Sequence, residues 1–259
     1  MSRTASIVTY PDLAGRVVLV TGGSGGIGAA TCRAFAASGA RVAVNGRRPD
    51  PVAAVAEAIA AGGGAACAAP GDCADAATFA AVRDRVEEQL GPIDVLCAFA
   101  GGGRPPQPIA DISLDDWRTD VDGNLTATFV TVRTCLPSMI ARGEGSIITM
   151  ASGAARQPGG APVAYAAAKA GVVNFTQQAA VQAGPAGVRV NCISPATVIT
   201  EAMAASVPED RQRQLLAAYP LGRLGHPDDV AAAALFLASS ASAWITGITL
   251  DVAGGQIIR

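Results

Sequence analysis

Apolar residues in this chain gather in short runs, and most runs precede a stretch in which they recur three or four positions apart. The first run, residues 16–21, is β-rich, and after a glycine turn a helical pattern continues to about Ser38. A second strand is predicted at 41–45 and a helix at 51–61, stopped by Gly62-Gly63-Gly64. Residues 65–69 read as a weak strand, and 75–90 as a helix with Phe79, Val82 and Val86 at helical spacing. The fourth strand is 93–98. Beyond a stiff proline loop at 105–108, a long helix is predicted over 113–140, with acids in its first turn. Strands at 146–150 and 188–193 flank a helix at 163–183, and a helix at 227–238 precedes a last strand at 248–252. Residues 195–224 read as irregular or locally helical.

Seven strands joined by helical crossovers predict an α/β fold: a doubly wound, seven-stranded parallel sheet of the Rossmann type, with helices on both faces. No linker-like stretch divides the chain, so 1–259 reads as one domain, with 195–224 as a substrate lid within it. In such sheets ligands lie beyond the carboxyl ends of the strands.

Composition narrows the picture. The 259 residues are 50% hydrophobic and 15% charged, which excludes a disordered tail. The apolar runs fall far short of the roughly 20 residues that a membrane-spanning helix needs. Residues 1–13 carry no apolar core of a signal peptide. A net charge of −2 with 4% aromatic residues argues against a nucleic-acid partner. The expectation is a soluble, cytoplasmic protein with a small-molecule substrate and neither a nucleic-acid nor a membrane partner. Six cysteines without a C-x-x-C pair read as buried, reduced thiols, and no metal site is expected.

The one histidine, His226, reads as a turn residue before the last helix. Gly22-Gly23-Ser24-Gly25-Gly26 also satisfies the G-x-S-x-G pattern of a hydrolase elbow, which would pair Ser24 with His226. Glycine on both sides of Ser24, after the first strand, suits a phosphate cradle better. The acid pairs Glu87-Glu88, Asp115-Asp116 and Asp228-Asp229 read as helix-surface or first-turn charges rather than a glycosidase pair.

Lysine is the informative rarity. Of 19 basic residues only Lys169 is lysine, and it stands four positions after Tyr165, so the two share a helix face. A nearby ammonium favours the phenolate, so the pair is expected to supply an acid/base group tuned toward neutral pH. Ser152 lies thirteen residues earlier, at the carboxyl end of a strand, where a substrate-facing hydroxyl belongs.

The turn Thr21-Gly22-Gly23-Ser24-Gly25-Gly26-Ile27-Gly28 sits between the first strand and the first helix, the place for a pyrophosphate cradle. At the end of the second strand, Asn45-Gly46-Arg47-Arg48 puts glycine where an acid would bind the ribose of NAD. The arginines there favour the 2′-phosphate of NADP(H) over NAD(H).

These motifs together resemble the short-chain dehydrogenase/reductase family over nearly the whole chain. The resemblance assigns Asn124, Ser152, Tyr165 and Lys169 as the catalytic set. It implies cofactor contacts from Gly22, Ser24, Gly26, Ile27, Gly28, Arg47, Arg48, Asp72, Cys73, Ala100, Gly101, Tyr165, Lys169, Pro195, Val198 and Thr200. Tyr165 would protonate a carbonyl oxygen that Ser152 hydrogen-bonds, Lys169 would hold the nicotinamide ribose, and Asn124 would anchor a relay water. General features most resemble 3-oxoacyl-carrier-protein reductases, so the resemblance implies first a 3-oxoacyl (thioester) or related ketoreductase, acting on a small carbonyl or alcohol substrate that a carrier can hold. The alternatives are a secondary-alcohol or sugar dehydrogenase and, in another class, a non-catalytic NADP-binding sensor or scaffold. The resemblance also implies a homotetramer paired through helices 113–140 and 163–183. Arg156, Gln157, Arg211 and Arg213 are candidates to meet an anionic substrate, against the plainer reading of solvated charges. The chain departs from the family at Ala98-Phe99, where Asn-Asn is usual, at Ala196, where glycine is usual, and at Gly25, often basic in NADP-preferring relatives.

Overall fold

Val17, Val18, Leu19 and Val20 form an uninterrupted apolar run, and a strand of that kind must be covered on both faces. The computed structural model, which describes residues 8–200 and 216–258, buries every residue of that strand. It is β1 (Val17–Thr21), at the middle of the sheet. The remaining strands are β2 (Arg41–Gly46), β3 (Ala65–Pro70), β4 (Val95–Ala98), β5 (Gly145–Met150), β6 (Val188–Pro195) and β7 (Thr249–Val252). Their order is β3-β2-β1-β4-β5-β6-β7, with every neighbouring pair parallel.

The period-2 alternation of β1 divides the core. Val18 and Val20 pack with Phe35 of α1 (Gly26–Ala37), Val52 of α2 (Pro49–Ala61) and Leu235 of α7 (Pro227–Ala238). Val17 and Leu19 face the other way, onto Phe79 of α3 (Ala76–Leu90), Val130 and Met139 of α5 (Ala127–Arg142) and Ala179 of α6 (Val163–Ala183). Each fully buried large aliphatic or aromatic side chain contributes roughly 1.5–3 kcal/mol. Two stacked cores of this size leave the strand ends free to carry function.

Strand order reverses between β1 and β4. The loops after these strands therefore part and leave a crevice. Thr21 Oγ1, at the end of β1, accepts hydrogen bonds from the backbone N–H of Phe99 (3.0 Å) and Ala100 (3.1 Å), tying the two loops at the crevice floor.

The helix expected over 113–140 is not continuous. Ser113 caps α4 (Leu114–Val121) by accepting from Asp116 N, a π-helical turn follows at Asp122–Thr126, and only then does α5 begin. The Ala127 N–H reaches back five residues to the Asp122 carbonyl, so the local ladder carries one extra residue. That extra residue re-aims Asn124, whose Nδ2 donates to the Asp120 carbonyl at 2.7 Å. Strand β6 also runs two residues further than its apolar pattern predicts, because it pairs with β7 as far as Pro195↔Val252. Among the described residues, no helix is long and apolar enough to cross a membrane.

Candidate active site

Two adjoining cavities lie in the crevice, about 330 and about 780 Å³ in volume, and both are lined by Gly22, Gly25, Gly101 and Gly102. The smaller holds Ser152, Tyr165 and Lys169, with Ile27, Gly28, Pro195, Val198 and Thr200 around them. The larger holds Ser24, Arg47, Asp72, Cys73, Ala100 and Asn124. Nearly all of the residues expected at the site are therefore brought together.

Tyr165 and Lys169 share a face of α6, and Lys169 Nζ stands 5.7 Å from the centre of the phenol ring. Lys169 is only 3% exposed, and its Nζ donates to the Met150 carbonyl at 2.8 Å. Burial pulls its pKa down to about 8. Tyr165 is moved the opposite way: burial raises its pKa, and a hydrogen bond with Ser152 offsets part of the rise. Tyr165 thus departs from the expected depression. The physical reason is that the pocket desolvates the phenolate more than its neighbours support it. Ser152 Oγ also accepts from Ala154 N at 3.2 Å, which fixes the turn Gly153–Ala155 just beyond β5.

Asn124 is 1% exposed and its side chain is heavily used. Oδ1 accepts from Gly102 N (3.1 Å), while Nδ2 donates to Gly102 O (2.9 Å) and Asp120 O (2.7 Å). With both donors taken, the second lone pair of Oδ1 is what its amide has left for a relay water.

The glycine turn fits a dinucleotide. Gly22 has φ +67°, and a Cβ there would lie 3.1 Å from the Phe99 carbonyl oxygen. A Cβ on Gly28 would collide with the Gly22 carbonyl. Helix α1 begins with no side-chain cap and no acid in its first turn, leaving N–H groups for a pyrophosphate. Gly26 is the first helical residue and lines neither cavity; a Cβ there would stand 3.1 Å from Thr200 Cγ2, so its role is close packing. At the far end, Gly46 presents no carboxylate, and Arg47 lines the cavity near Cys73, whose thiol burial pushes up to about 11.

Other candidates are placed differently. Arg48 lines neither cavity; it is the N-cap residue of α2, because the chain turns into that helix at Pro49. Arg156 is engaged within the chain: Nε and Nη2 donate to the two carboxylate oxygens of Asp251, at 3.2 and 3.1 Å. Gln157 is exposed, and Arg211 and Arg213 lie outside the described residues, as do 201–215 of the expected lid. The described flanks of that segment are anchored, with Tyr219 Oη accepting from Thr197 N (3.0 Å) and Val198 bridging Gly225.

His226 caps α7, its Nδ1 accepting from Asp228 N at 3.3 Å while its own N–H donates to Asp229. The hydrolase reading thus has no structural partner for Ser24 at that position. Six cysteines are free, five of them buried, and no cluster of three or more His, Cys, Asp or Glu among the described residues is arranged to hold a metal ion.

Sequence reasoning missed Phe99, which is 8% exposed, packs with the Val20 side of the core and still lines the catalytic cavity. Met150 was also missed, because it acts through a backbone carbonyl that no side-chain pattern announces.

A family model described as enoyl-(acyl carrier protein) reductase matches residues 22–256. A D-threitol dehydrogenase from Mycolicibacterium smegmatis is 40% identical over 247 residues, covering 95% of each chain. A 3-oxoacyl-[acyl-carrier-protein] reductase from Chlamydia pneumoniae is 37% identical over 246 residues, covering 94% of this chain and 97% of that one. Among solved structures, a 3-oxoacyl-[acyl-carrier protein] reductase from Brucella melitensis with bound NAD superposes with a TM-score of 0.91 at 30% identity. The match covers 100% of this chain and 97% of that one.

Proposed function

The chain belongs to the short-chain dehydrogenase/reductase family, and from that premise we propose that it is an NADP(H)-dependent oxidoreductase interconverting a ketone and a secondary alcohol. The observation that carries the reading is the convergence of Ser152, Tyr165 and Lys169 on one cavity beside the glycine turn. A sensor or scaffold has no need of that convergence.

Bound NADP(H) supplies or accepts the hydride. Tyr165, kept protonated by burial, donates its phenolic proton to the carbonyl oxygen as the alcohol forms. Ser152 donates a hydrogen bond to the same oxygen, and one such donor is commonly worth about 10²–10³ in turnover. Lys169, held by the Met150 carbonyl, keeps two further donors for the nicotinamide ribose hydroxyls. Alcohol oxidation runs the same contacts backwards, with Tyr165 accepting the proton.

For the cofactor, Arg47 beside Gly46 supports NADP(H): the guanidinium fork suits a phosphate, and position 46 offers no carboxylate to a ribose 2′-hydroxyl. For the substrate, the cavity wall near Tyr165 and Ser152 is formed by Phe99, Met150, Pro195, Ala196 and Val198, with Lys169 as its one ionisable cation among the described residues. A small neutral ketone or alcohol, of the secondary-alcohol or sugar kind, fits that wall. The second reading is a 3-oxoacyl thioester, supported by the likeness to the two carrier-protein reductases. The apolar residues left exposed on α4, α5 and α6, Leu114, Trp117, Phe129 and Val181, support assembly through these helices into a homotetramer.

The test is NADPH consumption against a panel of acetoacetyl thioester, cyclic ketones and ketoses, with NADH in parallel. Turnover of ketones or ketoses, but not of the thioester, supports the first reading. Thioester turnover alone moves the assignment to the second, and NADH as the better donor overturns the cofactor assignment.

A further inference from the structure

Residues 101–103 are three consecutive glycines, the most freely moving backbone a chain can write. In this fold the segment is bolted at two points, to the π-helical turn Asp122–Thr126 and to α4 before it. Asn124 grips Gly102 with a reciprocal pair of hydrogen bonds at 3.1 and 2.9 Å. One residue after the segment, Arg104 Nη2 donates to the Asp116 carbonyl at 2.7 Å, Nη1 pairs with the Asp116 carboxylate, and Nε faces Asp120 Oδ1 at 3.5 Å. The two bolts meet at Asp120, whose carbonyl accepts from Asn124 Nδ2.

The other side of the segment lies on the chemistry. A Cβ on Gly103 would sit 3.1–3.3 Å from atoms of Tyr165, so the glycine backbone rests against the phenol ring. A Cβ on Gly101 would stand 2.9 Å from Lys169 Nζ and would collide with Asn124 Oδ1. Whatever fixes the segment against α4 therefore also fixes the walls around Tyr165, Lys169 and Asn124.

We propose that Arg104 is a positioning residue for the reaction, holding segment 101–103 closed between α4 and Tyr165. The inference rests on the reading of Tyr165 and Lys169 as the reacting pair. Arginine suits the task because its rigid fork reaches a carboxylate, a carbonyl and a second carboxylate together, whereas an ammonium is a single point of charge. Arg104 touches neither reacting atom; it acts through the glycines it anchors.

The test uses the full chain with Arg104→Ala, Arg104→Lys and Asp120→Asn. Backbone hydrogen exchange is read on peptides covering 99–108, beside kcat, KM and NADPH affinity. Arg104→Ala should speed exchange in that segment at least fivefold and lower kcat about tenfold or more, with the KM of the carbonyl substrate within threefold. Arg104→Lys should fall between the two proteins. Combining Arg104→Ala with Asp120→Asn should add little to the first change, since the groups work as one unit. Unchanged exchange in Arg104→Ala, or a kcat within twofold of the parent, overturns the proposal. If Arg104→Ala does not fold, Arg104→Lys and Asp120→Asn decide by the same two readouts. A parent chain that turns over no substrate counts against the functional reading, and the exchange result then judges the clamp alone.

Discussion

Lys169 Nζ donates to the main-chain carbonyl of Met150 at 2.8 Å, joining the second turn of α6 to the last residue of β5. Ser152 follows two residues later on the same backbone. One hydrogen bond thus sets the lysine relative to the serine. It also satisfies part of an ammonium that burial has stripped of water.

The buried lysine makes stability depend on pH in a defined direction. Its folded pKa of about 8 lies below the ordinary 10.5, so between those values the unfolded chain holds more protons. Lys169 therefore destabilises the fold fully below about pH 8, and the penalty is relieved as pH rises toward 10.5. Buried thiols push the other way, but those remote from Lys169, such as Cys32, cancel when the parent is compared with Lys169→Met. Denaturant unfolding should show the parent gaining on Lys169→Met between pH 7 and pH 10, by roughly 3 kcal/mol at most. A constant difference across that range contradicts the account.

Activity of the same variant should shift as well. Without the ammonium, the phenolate of Tyr165 loses a nearby cation, and burial already holds its pKa up. The pH of half-maximal alcohol oxidation is expected to rise by about one unit or more in Lys169→Met, alongside a large fall in kcat. An unshifted profile would show that the lysine does not act on the tyrosine.

On the proposed reading, Arg47 selects the cofactor. Charge-assisted hydrogen bonds to a phosphate are worth about 1.5–3 kcal/mol, so Arg47→Ala should weaken NADPH binding roughly 10- to 100-fold and leave NADH within a few-fold. Equal losses for both nucleotides would place Arg47 away from the 2′-phosphate. Arg48→Ala, at the start of α2, should change neither affinity by more than about twofold, judged against the ordinary effect of a surface substitution.

Two glycines of the site should respond oppositely to alanine. Gly101 has φ +150° and its missing side chain leaves room for Asn124 and Lys169, so Gly101→Ala should cost most of the activity and several degrees of Tm. Gly25 is extended, and a Cβ added there would meet nothing within 4 Å, so Gly25→Ala should bind NADPH nearly as the parent does. Comparable behaviour of the two variants would contradict that geometry.

Much of this was legible in the amino-acid order, because its signals are local. The run Val17–Thr21 followed by Gly22 to Gly28 announces the first strand, the turn and the helix at once. Tyr165 and Lys169 share a helix, so their four-residue spacing already puts them on one face. Relationships that depend on distant partners were hidden. Arg156 reads as an available cation until Asp251, 95 positions away, is folded against it. The break in the helix at Asp122–Thr126 is marked in sequence only by Gly123, while the surrounding pattern continues as if unbroken. Nor does any pattern reveal that Thr21 Oγ1 receives the backbone of Phe99 and Ala100, which makes the Phe99 departure compatible with a closed crevice.

The central claim is that Tyr165 passes the proton while the nucleotide is bound in the same crevice. Its most direct test is the rate of NADPH consumption by Tyr165→Phe with a ketone that the parent reduces, measured together with NADPH affinity. General acid catalysis of this kind is worth about 10²–10⁴, so the variant should lose at least a hundredfold in kcat and bind NADPH within about threefold of the parent. A Tyr165→Phe protein that retains turnover within tenfold of the parent contradicts the account.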